Sequence, residues 1–235
     1  NNMANADTVG FKDDRVTSQA FDQVLGIKIR DGSQAYHNEC IGSLSLGVKI
    51  GETYTDYSQG SVRQTGGTYD LALSGSGFFA VSVTDKAGEV HTRYTRDGRF
   101  HLTKDGLLVD ADGNAVQGQN GNITIDPSSK NVSISATGQI TADGELVDTL
   151  NIVDFEDYDY LKKYGDTMYE PVDGATTKDA EGEILQGYTE QSNVNVVREM
   201  VDMITITRAY EAGQKVIRSY DSMLDKSVNQ VGALK

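Results

Sequence analysis

From about Ser61 to Gly187 the apolar and polar positions alternate in short runs rather than recurring at helical intervals. Leu71-Ala72-Leu73, Phe78-Phe79-Ala80-Val81-Ser82-Val83, Ile123-Thr124-Ile125 and Val132-Ser133-Ile134 are rich in β-branched and aromatic residues, which suit a pleated, half-buried surface. Between such runs lie Asp97-Gly98, Asp105-Gly106, Asp112-Gly113, Asn120-Gly121 and Asp143-Gly144, dipeptides that supply the positive φ angles of tight turns. Turns this close together make neighbouring strands antiparallel, because parallel pairs need long crossovers and no helical period intervenes. The pattern predicts a hairpin-rich antiparallel β domain. Within it, the aromatic and acidic stretch from Tyr158 to Tyr164 reads equally as a loop or a short helix.

After the polar cluster Gln191-Ser192-Asn193-Val194-Asn195 the period changes from two to about three and a half. Asn193 or Asn195 is placed to cap a helix, and Glu199 and Asp202 suit the positive end of its dipole. Val196, Met200, Met203, Ile206, Tyr210, Gly213, Ile217, Tyr220 and Leu224 then recur at spacings of three and four, with Val228 and Val231 extending the stripe and Val197, Val201 and Ile204 flanking it. Such a coiled-coil-like seam requires a partner. Within the chain only Asn1 to about Leu25 offers one, where Val16, Ala20, Phe21 and Val24 give a shorter helical pattern. The bland alternative is that the helix packs on the β domain.

The expected fold is therefore mainly β with terminal α: an antiparallel hairpin-rich domain plus a long C-terminal coiled-coil helix paired with the N-terminal segment. Residues 1–30 read as a terminal segment with part of a helical domain, 31–60 as an extended connector, 61–190 as the β-rich domain and 191–235 as the helix.

Composition narrows the function. Among 235 residues, 37% are hydrophobic and none of the apolar runs approaches the ~20 residues of a membrane-spanning helix. The first residues carry neither the basic start nor the apolar stretch of a cleavable secretory signal. Cys40 is the single cysteine, which excludes an internal disulfide. The net charge is −14, and residues 143–190 hold fourteen Asp and Glu against Lys162, Lys163 and Lys178. Nucleic acid is repelled by such a surface, since its binding depends on Lys and Arg displacing counterions. A solvated acidic face is the simplest reading.

Sites for chemistry are few. Gly75-Ser76-Gly77-Phe78-Phe79-Ala80 fits a relaxed dinucleotide fingerprint, but a strand follows where the pyrophosphate would need a helix N-terminus. Asp110-Ala111-Asp112-Gly113-Asn114 has its glycine at the wrong place for a calcium loop and lacks the closing glutamate, so a hairpin turn explains it better. His37, His91 and His101 show no ligand spacing, and His37 with Cys40 cannot fill a tetrahedral site. No nucleophile elbow or phosphate-binding loop occurs. The expectation is no catalysis, no cofactor, no metal and no small-molecule substrate. Two competing classes remain: a surface module whose β domain binds glycan or peptide and whose helix oligomerises it, and a hydrolase using unpaired carboxylates such as Asp154 and Glu156.

Specific runs then carry a resemblance. Asn1-Asn2-Met3-Ala4-Asn5-Ala6-Asp7-Thr8-Val9-Gly10-Phe11-Lys12 resembles the N-terminal signature of the flagellar rod and hook proteins, here quoted on Asn1, Asn2, Ala4, Asn5, Gly10, Phe11 and Lys12. In that family the run follows an N-terminal helix, so the sequence looks cut or numbered from inside the motif. Tyr57 to Gly66, Tyr69 to Phe79 and Tyr94-Thr95-Arg96-Asp97-Gly98-Arg99-Phe100 resemble the family's central pattern, and Gly187 to Val197 with Met203 to Glu211 its C-terminal one. The wording leans toward distal rod members, with proximal rod and hook as alternatives, and the stretch from Gly26 to Leu46 departs from the distal rod pattern.

The resemblance implies a structural subunit of the basal body, outside the cytoplasmic membrane, self-assembling into a rigid tube that transmits torque from motor to hook. Its partners would be copies of itself, neighbouring rod and hook proteins and the flagellar export apparatus, through which the chain would pass unfolded. Terminal helices would form an inner layer, with the β domain outside it. Val196, Met200, Met203, Ile206, Tyr210, Ile217, Tyr220 and Leu224 would then be the assembly interface, and Asn1–Lys12 a joint at which Gly10 permits a turn that a Cβ would hinder.

Overall fold

A computed structural model describes residues 1–22, 24–27, 40–45, 47–85 and 88–231. The alternation along the chain becomes strands that, among the described residues, all pair antiparallel. Two ribbons come first. β1 (Asp13–Ala20) pairs with β4 (Val48–Asp56), and β2 (Val24–Ile27) with β3 (Cys40–Leu44). His37 and positions 31–39 of the expected connector lie outside the described residues.

The helical pattern read over Asn1 to Leu25 is not realised. Asn1 to Gly10 run mainly as successive turns, and Val16 and Ala20 lie within strand β1, where they pair with Thr53 and Val48. Spacings of four fit either period in so short a stretch. The complementary strand some thirty residues on decides between them, because tertiary context overrides weak local preference.

The remaining strands are β5 (Val62–Gln64), β6 (Leu71–Ser74), β7 (Phe78–Thr84), β8 (Val90–Thr95), β9 (His101–Leu102), β10 (Leu108–Val109), β11 (Ala115–Gly118), β12 (Gly121–Asn122), β13 (Val132–Ile134), β14 (Gln139–Ala142), β15 (Glu145–Thr149), β16 (Ile152–Phe155), β17 (Leu161–Tyr164), β18 (Met168–Pro171), β19 (Thr177–Asp179), β20 (Glu183–Gln186) and β21 (Tyr188–Glu190). The main sheet runs β17-β18-β8-β7-β11-β10-β9, with β12 on β11 and β16 joining β7 to β19. β13-β14-β15 form a separate meander, while β20 pairs with β6 and β21 with β5. The stretch left open between loop and helix is a short helix only at its start: Tyr158–Tyr160 is a single 3-10 turn capped by Asp157, and Leu161–Tyr164 is strand β17.

Period-two alternation in β7 divides the interior. Phe79, Val81 and Val83 join Leu71, Leu73, Leu108, Val116, Ile123, Ile125, Ile140 and Ile184 in the larger core. Phe78, on the opposite face, enters a smaller one with Phe155, Leu161 and Tyr169. Tyr57, Phe155, Tyr158 and Tyr169 surround the Phe78 ring at centroid distances of 5.5–6.1 Å, all four edge to face.

The dipeptide turns behave as their chemistry dictates, with one exception. Asp143 and Gly144 have φ of 51° and 91° in the two-residue loop between β14 and β15, as a primed hairpin turn requires. Gly98 does not take a positive φ. Its role is proximity: an added Cβ would lie 1.7 Å from the Leu71 carbonyl oxygen, so only glycine lets these backbones approach. The carboxylate of Asp110 accepts from the Asp112 and Asn114 amides and from Asn114 Nδ2, so the calcium-like run is a hairpin turn. β7 follows Gly77 directly, in agreement with rejecting the dinucleotide fingerprint.

α1 (Val196–Lys226) is one uninterrupted helix, followed by a π-helical turn at Ser227–Val231. Asn195 caps it, its side chain accepting from the Arg198 amide at 3.1 Å. None of its residues is buried. No described helix is both long and apolar enough to cross a membrane.

Candidate assembly interface

The seam expected on α1 is exposed in this single chain. Met200 and Met203 are 44% and 49% accessible, and Ile206, Tyr210, Ile217, Tyr220 and Leu224 are all between 62% and 69%. Val196, at the root, is half-buried. At roughly 1.5 Å per residue the helix extends about 46 Å, so the stripe is far longer than one adjacent strand could cover. Among its described residues the N-terminal segment reaches the helix at the first turn, through Asn2 and Glu199, and leaves the stripe beyond it exposed. Gly213 leaves a notch in mid-seam, with space where a Cβ would be and Tyr210, Gln214, Ile217 and Arg218 around it.

The root of α1 is built differently. β21 ends at Glu190, whose side chain is fully buried. Its Oε1 accepts from Lys12 Nζ at 2.6 Å and from the Gly60 amide at 2.9 Å, and its Oε2 lies 3.3 Å from Arg96 Nη1. Lys12 Nζ also donates to the Ser58 carbonyl, and Arg96 Nη2 to the Gly75 carbonyl. Burial lowers the Lys12 pKa, and the attraction of Glu190, which acts the other way, does not reverse it. Asn193, the alternative cap, instead braces the root: its Nδ2 donates to the Asp56 carbonyl at 2.8 Å and its Oδ1 accepts from the Asp13 amide at 2.8 Å.

The N-terminal signature residues converge on this root. Asn1 and Asn5 bond each other, while Asn2 donates to Asp13 Oδ1 and the Asp14 carbonyl and reaches Glu199 in the first turn of α1 at 3.4 Å. Ala4 is exposed. Gly10 has φ +71° and donates its amide to the Glu190 carbonyl. Phe11 is fully buried beneath Lys163, whose ammonium lies 4.0 Å from the ring centroid and pairs with Asp14 at 2.6 Å.

Two features escaped the sequence reading. The Lys12–Glu190 pair spans 178 positions, and nothing local marks it. The β1–β4 ribbon carries exposed Val16, Val48, Ile50 and Tyr54. The alternation Val48-Lys49-Ile50 followed by Tyr54 was a signal for it.

The carboxylates considered for hydrolysis are partnered. Asp154 is buried and bonded by Tyr158 and Lys178, and Glu156 accepts from Thr176. A cleft of about 1320 Å³ between β4 and the 3-10 turn includes Glu156 in its lining but not Asp154. The acidic stretch is also not wholly a solvated face, because Asp148, Asp154 and Glu190 are all buried within it.

Comparison with known proteins matches residues 72–142 to the flagellar hook protein FlgE/F/G D1 domain and residues 185–231 to the flagellar basal body rod FlgEFG protein C-terminal model. The chain is 35% identical to the flagellar basal-body rod protein FlgG of Buchnera aphidicola subsp. Schizaphis graminum, over 96% of its own length and 90% of the relative's. It is 34% identical to the FlgG of Bacillus subtilis, over 97% and 90%. The chain belongs to the flagellar basal-body rod protein family. A Caulobacter vibrioides relative named FlgF is similar too, 33% identical over 100% of this chain and 90% of its own length. The two matched domains of the rod family fall on the β domain around the larger core and on the stretch from β20 through α1, the parts that the central and C-terminal runs had pointed to. Membership of this structural family makes the chain a FlgG-like rod protein and not an enzyme.

Proposed function

We propose that the exposed seam of α1 is the surface through which this rod subunit joins copies of itself and neighbouring flagellar components into an axial tube. The chain is a structural subunit of the flagellar basal-body rod, assembled outside the cytoplasmic membrane. The observation that carries the interface is a 31-residue helix with no buried residue and an apolar stripe along its length. A side chain such as Ile217, covering roughly 100 Å² of exposed apolar surface, gains about 2.5 kcal/mol when buried. An isolated helix lacks that gain, since helices in proteins owe most of their stability to packing.

In this reading the β domain faces outward, Asn1–Lys12 join it to the inner helical layer, and the tube passes torque from motor to hook. The distal position rests on the wording of the runs from Gln59 to Gly66 and from Ser192 to Ile204 and on the FlgG relatives. Passage of the unfolded chain through the flagellar export apparatus belongs to the same proposal. A surface-binding module has less support, because both matched domains are those of rod and hook proteins.

Ile217→Asp tests the interface. Ile217 is exposed in the single chain, so the purified variant should stay within ~0.5 kcal/mol of the parent. In cells it should stop the rod short in electron cryotomograms and abolish motility. Motile cells with complete rods would refute the seam as the interface.

A further inference from the structure

We infer that Glu190 is a lock that fixes the direction in which α1 leaves the β domain, and that it closes only when the N-terminal turn is docked. α1 buries none of its own residues, and beyond the 3.4 Å contact of Asn2 with Glu199 in its first turn no hydrogen bond among the described residues holds it against the domain. Its direction is set by the stretch from Gln191 to Asn195, which follows β21 and has no regular structure. That stretch is tied at both ends. Glu190 is held through its carboxylate by Lys12, Gly60 and Arg96, and through its carbonyl by the Gly10 amide. Asn193 is held by Asp13, Asp56 and Ser58. Between them the Gln191 amide donates to the Ser61 carbonyl at 2.8 Å, and Gly60 approaches so closely that a Cβ there would lie 1.9 Å from the Gln191 carbonyl oxygen.

Lys12, Gly10 and Asp13 all belong to the N-terminal turn or the strand it leads into. If that turn is undocked, Glu190 loses its shortest partner and Asn193 loses the Asp13 amide, leaving the root with its contacts to the β domain alone. A buried carboxylate is costly without its cation, so the pair is closed with both members or strained without one. The N-terminal turn and the root of α1 are thereby coupled at one residue, and α1 is aimed before it meets any partner. The consequence for tube building rests on the assembly reading. The lock itself is a property of the single chain and is measured there.

The test uses the full chain with Cys40→Ser, and nitroxide labels at Ser133→Cys on an exposed strand position and Ala212→Cys in the middle of α1. Pulsed electron spin resonance should give one narrow distance distribution in the parent. Lys12→Met leaves Glu190 paired with Arg96, so the buried carboxylate keeps one cation. This variant should broaden the distribution while the amide-exchange protection of β7 and β8 is retained. Asn193→Ala, which leaves no buried charge behind, should broaden it as well. A distribution that stays narrow in both folded variants would overturn the lock, leaving these residues a purely stabilising role. A broad distribution in the parent would overturn it too. None of these outcomes depends on whether Ile217→Asp cells swim.

Discussion

Replacing Gly10 with alanine probes the N-terminal turn at its tightest point. Gly10 has φ +71°, and a Cβ there would lie 2.3 Å from the Asp97 nitrogen and 2.5 Å from the Arg96 carbonyl carbon. The obstructing atoms are backbone just beyond β8, so no side-chain rotation relieves the overlap. The left-handed conformation alone costs a residue with a Cβ about 1–2 kcal/mol. The least costly response to the overlap is for the turn to lift, breaking the bond from the Gly10 amide to the Glu190 carbonyl and exposing Val9 and Phe11, which are 2% and 0% accessible. Re-exposing those side chains costs about 1.5–3 kcal/mol each, which bounds the loss at about 3–6 kcal/mol. Urea unfolding reads the loss, and hydrogen exchange at the Phe11 and Lys12 amides reports whether the turn has lifted. Gly10→Asn separates the two causes, because asparagine tolerates the left-handed region yet carries the same Cβ. If the overlap dominates, Asn is nearly as damaging as Ala. Parent-like stability in the alanine variant, or nearly full recovery with asparagine, would refute the steric argument.

Phe78→Ala should cost about 3–5 kcal/mol in urea unfolding, because the ring is enclosed by Tyr57, Phe155, Tyr158 and Tyr169 and the cavity cannot collapse; a loss below that of a surface substitution would mean the smaller core repacks. Asn195→Ala should remove about 1 kcal/mol from α1 and lower its far-ultraviolet ellipticity, whereas unchanged ellipticity would assign the cap to another residue. Burial pushes the Asp154 carboxyl up, but hydrogen bonds from Tyr158, Lys178, the Phe155 amide and Ser76 outweigh it and hold its pKa below the ordinary carboxylate value. The folded protein therefore binds fewer protons at this group than the unfolded chain, so the stability it contributes is present above the unfolded pKa and lost as pH falls through the folded one. Tyr158→Phe removes one of those bonds and should move the acid-unfolding midpoint to higher pH, and an unmoved midpoint would remove Asp154 from the acid limb.

The sequence by itself determined whatever is encoded within a few residues. Period-two runs such as Phe78–Val83 became strands because successive side chains must point to opposite faces, and Asp143-Gly144 became a primed turn because both positions need positive φ. The change of period after Asn195 announced α1, and the asparagine side chain that stops the chain from being helical there is the one that caps it. The seam was legible for the same reason: a helix repeats its faces regardless of what covers them.

Tertiary structure decided the rest, where the deciding contact lies far along the chain. Val16 and Ala20 fitted a helix or a strand equally, and Val48–Asp56 made them a strand. Gly98 resembled another turn glycine, but its neighbour is the Leu71 backbone. Glu190 read as one more acid in an acidic stretch. Only the fold brings Lys12, Gly60 and Arg96 around it, because burying a carboxylate requires cations and amides that no local pattern specifies.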